Sequence, residues 1–266
     1  MKNDLEKLQT LSVKVELSFA HVTLNRPDAR NAMNARMIKD LLAAFGVLAD
    51  NRDVRAIVLG AAGSAFCVGG DLQEMAAVSQ HSDEDNLLYA RRADAMLKAV
   101  SQAPQAVIAR VQGAAMGGGL GLVCVSDIAI ASSDATFGLP EVRLGIAPAM
   151  ISPYVLQRLG LTRTRELMLT GRRFGAEQAQ EYGLVHHVCA PDDLDSRVQA
   201  VLDDLRQCSP NAIAACKPLL FEVLDKDPDA TVDYRARLLL DLRRSEEGQE
   251  GMKAFVEKRA PKWAEK

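Results

Sequence analysis

Apolar and polar residues alternate through Val13–Leu24 (VKVELSFAHVTL) around a short break, the period-two signature of two strands that pair with each other. Asn25-Arg26-Pro27-Asp28 then supplies turn chemistry. From Asn34 to about Leu48 the spacing changes: Met37, Ile38, Leu41, Leu42, Phe45 and Leu48 fall on one helical face, with Asn34 placed as the N-cap. Arg55–Gly60 (RAIVLG), Ala106–Val111 (AVIARV) and Asp127–Ala131 (DIAIA) are short apolar runs and read as buried strands. A helix opens at Ser82 with acidic residues in its first turn and runs to about Val100.

Two glycine-bearing segments follow buried strands: Ser64–Asp71 (SAFCVGGD), and Gly113–Gly119 (GAAMGGG), which leads into the apolar helix Leu120–Val125. Beyond Gly145 the pattern is mostly helical: Met150–Leu159, Thr162–Leu169, Ala176–Tyr182, Asp192–Gln207, Pro210–Leu224, Val232–Arg244 and Glu247–Lys258, interrupted by a strand at Val185–Val188. Ser209-Pro210 is a helix start with proline in the first position. The sequence contains no internal repeat, low-complexity tract or long linker. The expected organisation is an α/β core with a helical C-terminal part.

Composition narrows the classes. With 266 residues, 48% of them hydrophobic and 25% charged, the chain fits one large domain, or one domain plus a small appendage. A net charge of −3 provides no global basic field, so nucleic acid and an anionic membrane are not expected partners. The five cysteines (Cys67, Cys124, Cys189, Cys208, Cys216) include no C-x-x-C pair, which points to reduced thiols in a cytosol. The four histidines include His186-His187, with no H-E-x-x-H or other spacing that suggests a metal. MKNDLEKLQT is charged and not a secretory signal, and no run approaches the roughly 18–20 apolar residues that span a bilayer, so a cytoplasmic location is expected.

The glycine segments carry the candidate chemistry. Backbone N–H groups at a helix start lack intrahelical partners and sit at the positive end of the dipole, and glycine lets a ligand approach them closely. Neither segment fits G-x-x-x-x-G-K-[ST] or G-x-G-x-x-G, so a phosphate cradle is not indicated. Two such loops can instead converge on one oxyanion, each giving one N–H; taken singly, either reads as readily as a packing turn. Cys67 beside the first loop reads as a small packing residue.

Several ordered motifs resemble the enoyl-CoA hydratase/isomerase (crotonase) family. Val22–Asn34 (VTLNRPDARNAMN) is similar to its opening strand and turn, Ala65–Leu72 (AFCVGGDL) to its first glycine loop, and Val111–Gly121 (VQGAAMGGGLG) to its second. Asp127–Gly145 (DIAIASSDATFGLPEVRLG), Leu169–Val185 (LTGRRFGAEQAQEYGLV) and Glu247–Arg259 (EGQEGMKAFVEKR) extend the resemblance over nearly the whole chain. It implies an α/β fold of ββα units in a spiral, with residues 1–200 forming the core that holds the CoA and acyl site. Residues 201–266 would form a helical C-terminal region that builds a homotrimer, or a hexamer made as a dimer of trimers. It implies an acyl-CoA substrate and no separate cofactor, coenzyme A being part of the substrate. The oxyanion hole would be the N–H groups of Gly70 and Gly118. Ala29, Arg30, Val68 and Leu72 would lie along CoA, and Phe255 and Lys258 of a neighbouring subunit would approach its nucleotide end. Read from its own surroundings, Lys258 is a solvated charge on a helix face.

The departures from the family pattern point to a subgroup. Family hydratases carry two glutamates; here Gly121 stands at the first position, and the second survives as Glu141 in Leu139-Pro140-Glu141. The run Ile146-Ala147-Pro148-Ala149-Met150-Ile151-Ser152-Pro153 replaces a glycine-rich stretch. With Gly121 and the ending GQEGMKAFVEKRAPKW it resembles hydratases of 3-substituted glutaconyl-CoAs, such as methylglutaconyl-CoA of leucine degradation or isohexenylglutaconyl-CoA of terpene degradation. Gly121 would leave room for the C3 branch, and Arg143 is the candidate partner for the far carboxylate. A Δ3,Δ2-enoyl-CoA isomerase working with Glu141 alone is the first rival. A CoA-ester-binding or RNA-binding protein with residual activity is the second, opposed by the charge balance and by an aromatic content of 5%.

Overall fold

The computed structural model describes residues 5–264; Met1–Asp4, the start of the charged N-terminal run, and Glu265–Lys266 lie outside it. Strands β1 (Leu11–Glu16) and β2 (Phe19–Leu24) form an antiparallel hairpin whose turn residues Leu17 and Ser18 have φ of 47° and 68°, matching the strand twist. Helix α1 (Ala35–Ala49) follows. Its N-cap is Asn34, whose side chain accepts the Met37 N–H at 2.9 Å, and it buries Met37, Leu41, Phe45 and Leu48.

The same unit then repeats with variations. Strand β3 (Ala56–Ala61) is followed by the short β4 (Ala65–Cys67) and by helices α2 (Leu72–Val78) and α3 (Asp83–Ser101). Strand β5 (Ala106–Val111) is followed by β6 (Ala114–Met116) and the buried helix α4 (Gly118–Val125). Strand β7 (Ile128–Ser132) is followed by β8 (Thr136–Gly138) and a 3-10 turn, Pro140–Leu144. Helix α5 (Ser152–Thr170), strand β9 (Arg173–Gly175), helix α6 (Ala176–Glu181) and strand β10 (His187–Cys189) complete the core.

First strands and second strands separate into two sheets. One has the order β1-β2-β3-β5-β7-β10 and is parallel beyond the hairpin; the other has the order β4-β6-β8-β9. From β3 onward each turn of the chain therefore adds one strand to each sheet, and the main core fills the space between them and the helices. Helix α7 (Leu194–Arg206) covers the opposite face of the large sheet, packing Leu194, Val198 and Leu202 on Phe19, Val58, Ile108 and Ile130.

Helices α8 (Pro210–Val223), α9 (Val232–Arg244) and α10 (Glu246–Val256) follow. Helix α8 is tied to the sheet by Lys217, whose ammonium donates to Asp127 Oδ2 at 2.7 Å and to the Gln105 carbonyl at 3.1 Å. The same Asp127 oxygen accepts the Val107 N–H at 2.7 Å. Among the described residues no helix is long and apolar enough to cross a membrane, and no cluster of His, Cys, Asp and Glu is disposed to hold a metal.

Several elements differ from the sequence expectation. Strands β4, β6, β8 and β9 have three residues each, too few for a period to show, and the first two lie inside segments read as loops. Helix α2 was not expected, although Asp71 caps it by accepting the Glu74 N–H. The helices expected at Met150–Leu159 and Thr162–Leu169 are two halves of α5, broken at Gly160 (φ 68°, ψ 169°). Strand β10 starts two residues later than Val185, because pairing begins at His187 opposite Ile130.

Candidate active site

The turn after β2 is built to hold the first glycine loop. Arg30 and Asn31 take left-handed conformations, with φ of 50° and 56°. The buried Asn31 side chain accepts the Arg26 N–H at 2.8 Å and donates to the carbonyls of Ala62 and Ala65 at 2.8 and 2.9 Å. Arg26 reaches across to Asp71 Oδ2 at 3.1 Å. Met33 then pairs with the loop as a one-residue parallel bridge: its N–H donates to Gly69 O at 2.7 Å, and its carbonyl accepts from Asp71 N at 2.8 Å. In this pairing the N–H of the residue between, Gly70, points away from Met33.

Gly118 is the first residue of α4, where an N–H has no partner inside the helix; the helical ladder starts with Gly121 N–H to Gly117 O at 3.0 Å. The two loops interlock. A β-carbon on Gly119 would fall 2.8 Å from the Cys67 carbonyl carbon, and one on Gly69 would fall 3.6 Å from Gly118 N. The Cys67 thiol is buried, which pushes it up to about 12 and keeps it protonated, consistent with packing alone.

Gly70 and Gly118 open into a cavity of about 400 Å³. Helix α3 supplies Tyr89, Ala93, Met96 and Leu97 to its wall, a stripe at helical spacing that the sequence reading passed over. Of the nine methionines in the chain, Met33, Met75, Met96 and Met150 line it, which gives much of the wall an adaptable surface. Burial of the Tyr89 hydroxyl, with Glu74 and Asp71 nearby, pushes its pKa up to about 12, so it is a hydrogen-bond donor at neutral pH.

Glu141 enters this cavity from the 3-10 turn. Its carboxyl group rests on Gly117, with Oε1 2.7 Å from the point a β-carbon there would occupy; Gly117 also has φ of 50°, so glycine is required twice over. Oε2 is buried with no hydrogen-bond partner. Desolvation raises the Glu141 pKa, against a smaller opposing effect of its own backbone N–H.

The cavity thus brings together Gly70, Gly118, Glu141, Val68, Leu72 and Arg143. The Arg143 guanidinium leans over Gly171 and donates to the Thr170 carbonyl at 3.3 Å, with no carboxylate partner among the described residues. Ala29 and Arg30 do not line the cavity, but the Arg30 carbonyl accepts the Val68 N–H at 3.3 Å and sets their turn beside its rim. Phe255, 86% exposed in α10, and Lys258 lie outside it; the expectation for them concerns a neighbouring subunit.

Gly121 requires a correction. It is buried in α4 and does not line the cavity, because Ile151 lies over it: Ile151 Cβ is 3.1 Å from the point a β-carbon on Gly121 would take. The volume left by the missing side chain is filled by Ile151 and is not open to a ligand. Ile151 belongs to the run that replaces the glycine-rich stretch, so both departures from the pattern meet at one place.

The family model described as Enoyl-CoA hydratase/isomerase matches residues 14–266. The structure of Pseudomonas aeruginosa AtuE superimposes with a TM-score of 0.94 at 44% identity, over 96% of this chain and 100% of that one. An enoyl-CoA hydratase from Shewanella pealeana superimposes with a TM-score of 0.94 at 38% identity, over 98% of each. Among curated proteins, Mycobacterium tuberculosis echA8, named a probable enoyl-CoA hydratase, is 34% identical over 96% of this chain and 98% of its own. A Streptococcus mutans protein named trans-2-decenoyl-[acyl-carrier-protein] isomerase is 30% identical, over 95% of this chain and 97% of its own.

Proposed function

The chain belongs to the enoyl-CoA hydratase/isomerase family and has its α/β fold, and on that premise we propose that it adds water across the 2,3 double bond of a 3-substituted glutaconyl-CoA, using Gly70, Gly118 and Glu141. One observation carries the reading. A carboxyl group with a buried, unpartnered oxygen shares a cavity with two backbone N–H groups left free by the bridge at Met33 and the start of α4.

In this reading the thioester oxygen accepts from Gly70 and Gly118. The ionised Glu141 takes a proton from water through one oxygen as the hydroxide adds to C3. The electron pair of the double bond moves toward the thioester oxygen, whose charge the two N–H groups hold. The protonated carboxyl then returns a proton to C2, so one water is added and Glu141 regains its starting state. This chemistry draws on backbone dipoles and one carboxyl group and calls for no metal or prosthetic group.

Arg143 is the proposed partner of the far carboxylate, since the residue lines the cavity and its guanidinium is held only by a carbonyl. The apolar, methionine-bearing wall suits a hydrophobic branch at C3. Exposed Leu220, Phe221, Val232, Phe255 and Val256 on the last three helices support a covered interface between subunits, which in this reading is that of a homotrimer or hexamer in the cytoplasm, with Phe255 and Lys258 meeting the nucleotide of a neighbour's CoA. Light scattering on the purified protein gives its mass in solution.

The isomerase reading is favoured by one specific observation: Glu141 is the sole carboxylate in the cavity wall among the described residues. Incubation with 3-methylglutaconyl-CoA and, separately, with a 3-enoyl-CoA distinguishes the two. Formation of a tertiary 3-hydroxyacyl-CoA supports the hydratase; double-bond migration as the sole product excludes it.

A further inference from the structure

We propose that Ile151 sets the size of the C3 substituent that the enzyme accepts, an inference that rests on the function proposed above. Gly118 and Gly121 are three residues apart on α4, so they share a helix face and are separated by about 4.5 Å along the axis. Gly118 N–H holds the thioester oxygen at one end of that step. Carbon C3 lies two bonds from the thioester carbon, about 2.5 Å, and in the proposed pose the chain runs along α4, so that a group attached to C3 meets the space over Gly121. That space is occupied by the Ile151 side chain, which also lines the cavity.

Ile151 is fixed there. It is 5% exposed, and it immediately precedes α5, its carbonyl accepting the Val155 N–H at 3.0 Å. A β-branched side chain has little freedom at χ1. Leu97, 2% exposed, backs the same point, with Cδ2 3.7 Å from the Gly121 β-position. The methionines elsewhere in the wall yield to a ligand, whereas Ile151 is stiff, immobilised from below by α4 and from behind by α5. Discrimination between branch sizes therefore falls on this residue and leaves the transfer of protons by Glu141 untouched.

The test compares wild type, Ile151→Val and Ile151→Ala on 2-enoyl-CoAs carrying hydrogen, methyl or a branched six-carbon group at C3. The ratio of kcat/KM for the six-carbon branch to that for methyl is expected to rise by about tenfold or more in Ile151→Ala, with Ile151→Val between. A ratio within twofold of wild type in Ile151→Val and in any folded Ile151→Ala, with folding checked by thermal unfolding, overturns the proposal. Should wild type move double bonds and add no water, the hydratase reading falls, and the same ratio is then taken from isomerisation of the matching 3-enoyl-CoAs. A raised ratio there sustains the role of Ile151, and an unchanged one ends it.

Discussion

Ile151 Cβ lies 3.1 Å from the point where a β-carbon on Gly121 would stand, so the absence of a side chain at one position is the condition for the other. A methyl group added to Gly121 would press on Ile151 at less than normal contact distance, while Leu97 Cδ2, at 3.7 Å, already lies in ordinary contact on another side. Gly121→Ala is therefore expected to destabilise the protein by about 1–3 kcal/mol through overpacking, outweighing the gain in helix propensity of about 1 kcal/mol. In an Ile151→Ala background, which removes the methyl lying against that point, the loss should shrink measurably, since contacting residues do not act additively. Urea unfolding of the four proteins reads the coupling; strictly additive losses would show that Ile151 moves aside freely.

Replacing Glu141 removes the sole carboxylate in the cavity wall among the described residues, the group proposed to move a proton to carbon. Glu141→Ala and Glu141→Gln are each expected to lower kcat by a factor of roughly 100 or more. Far-ultraviolet circular dichroism should be unchanged. A protein that only binds CoA esters would keep its affinity and show no turnover in either form.

Burial also fixes the direction of the pH dependence. Glu141 titrates above its ordinary value of 4.5, since desolvation penalises its charge. Hydration begins with the ionised form, so kcat/KM should fall as pH drops, with an apparent pKa above 4.5. Stability runs the opposite way: a group whose folded pKa is raised favours the fold in its neutral form, and that contribution is lost as pH rises through the folded value. Glu141→Gln should match wild type in stability below pH 4.5 and exceed it at neutral pH. An acidic limb at or below the ordinary value would contradict the buried position of this carboxyl.

The long periodic elements were legible in the sequence because their signal is repeated. Six apolar positions mark α1, and Asn34 caps it as its residue type suggests. The three-residue strands β4 and β6 were not legible, since two periods do not fit into three residues and the adjoining glycines dominate the reading. At the site, Gly70, Gly118 and Glu141 could be marked individually, but their convergence needed the resemblance, because it depends on the crossing of separate loops. The meaning of Gly121 was misread for a related physical reason. An absent side chain shows in the sequence as empty space, while the residue that fills it arrives from a distant segment.

Lys217 provides a test of how the C-terminal helices hold to the core. Its ammonium is 2.7 Å from Asp127, and only 8% of the residue is exposed. Desolvation lowers its pKa, although Asp127 opposes the shift. Lys217→Ala removes the ammonium from the Gln105 carbonyl and leaves the Asp127 carboxylate with the Val107 N–H but no counter-charge, and breaking a buried pair from one side costs about 3–5 kcal/mol. Because the Asp127 side chain is 30% exposed, the lower end of that range is expected. The midpoint of thermal unfolding reports it, and a change of a degree or less would show that α8 is held by its apolar contacts alone.

Arg143 separates a dicarboxylic from a monocarboxylic substrate. Its guanidinium has no ion-pair partner among the described residues, and its one hydrogen bond, to Thr170 O at 3.3 Å, is long. A substrate carboxylate arriving in the cavity would gain a charge-assisted pair without breaking an existing one. Arg143→Ala should then raise KM for 3-methylglutaconyl-CoA by roughly tenfold, in line with a charge-assisted bond of about 1.5–3 kcal/mol. It should leave KM for 3-methylcrotonyl-CoA, which lacks the second carboxylate, within about twofold. Arg143→Lys should recover part of the loss, since an ammonium keeps the charge and gives up the planar fork. Equal changes for the two substrates would assign Arg143 to the wall of the cavity and leave the far carboxylate to another donor, with Tyr89 the next group in the wall to test.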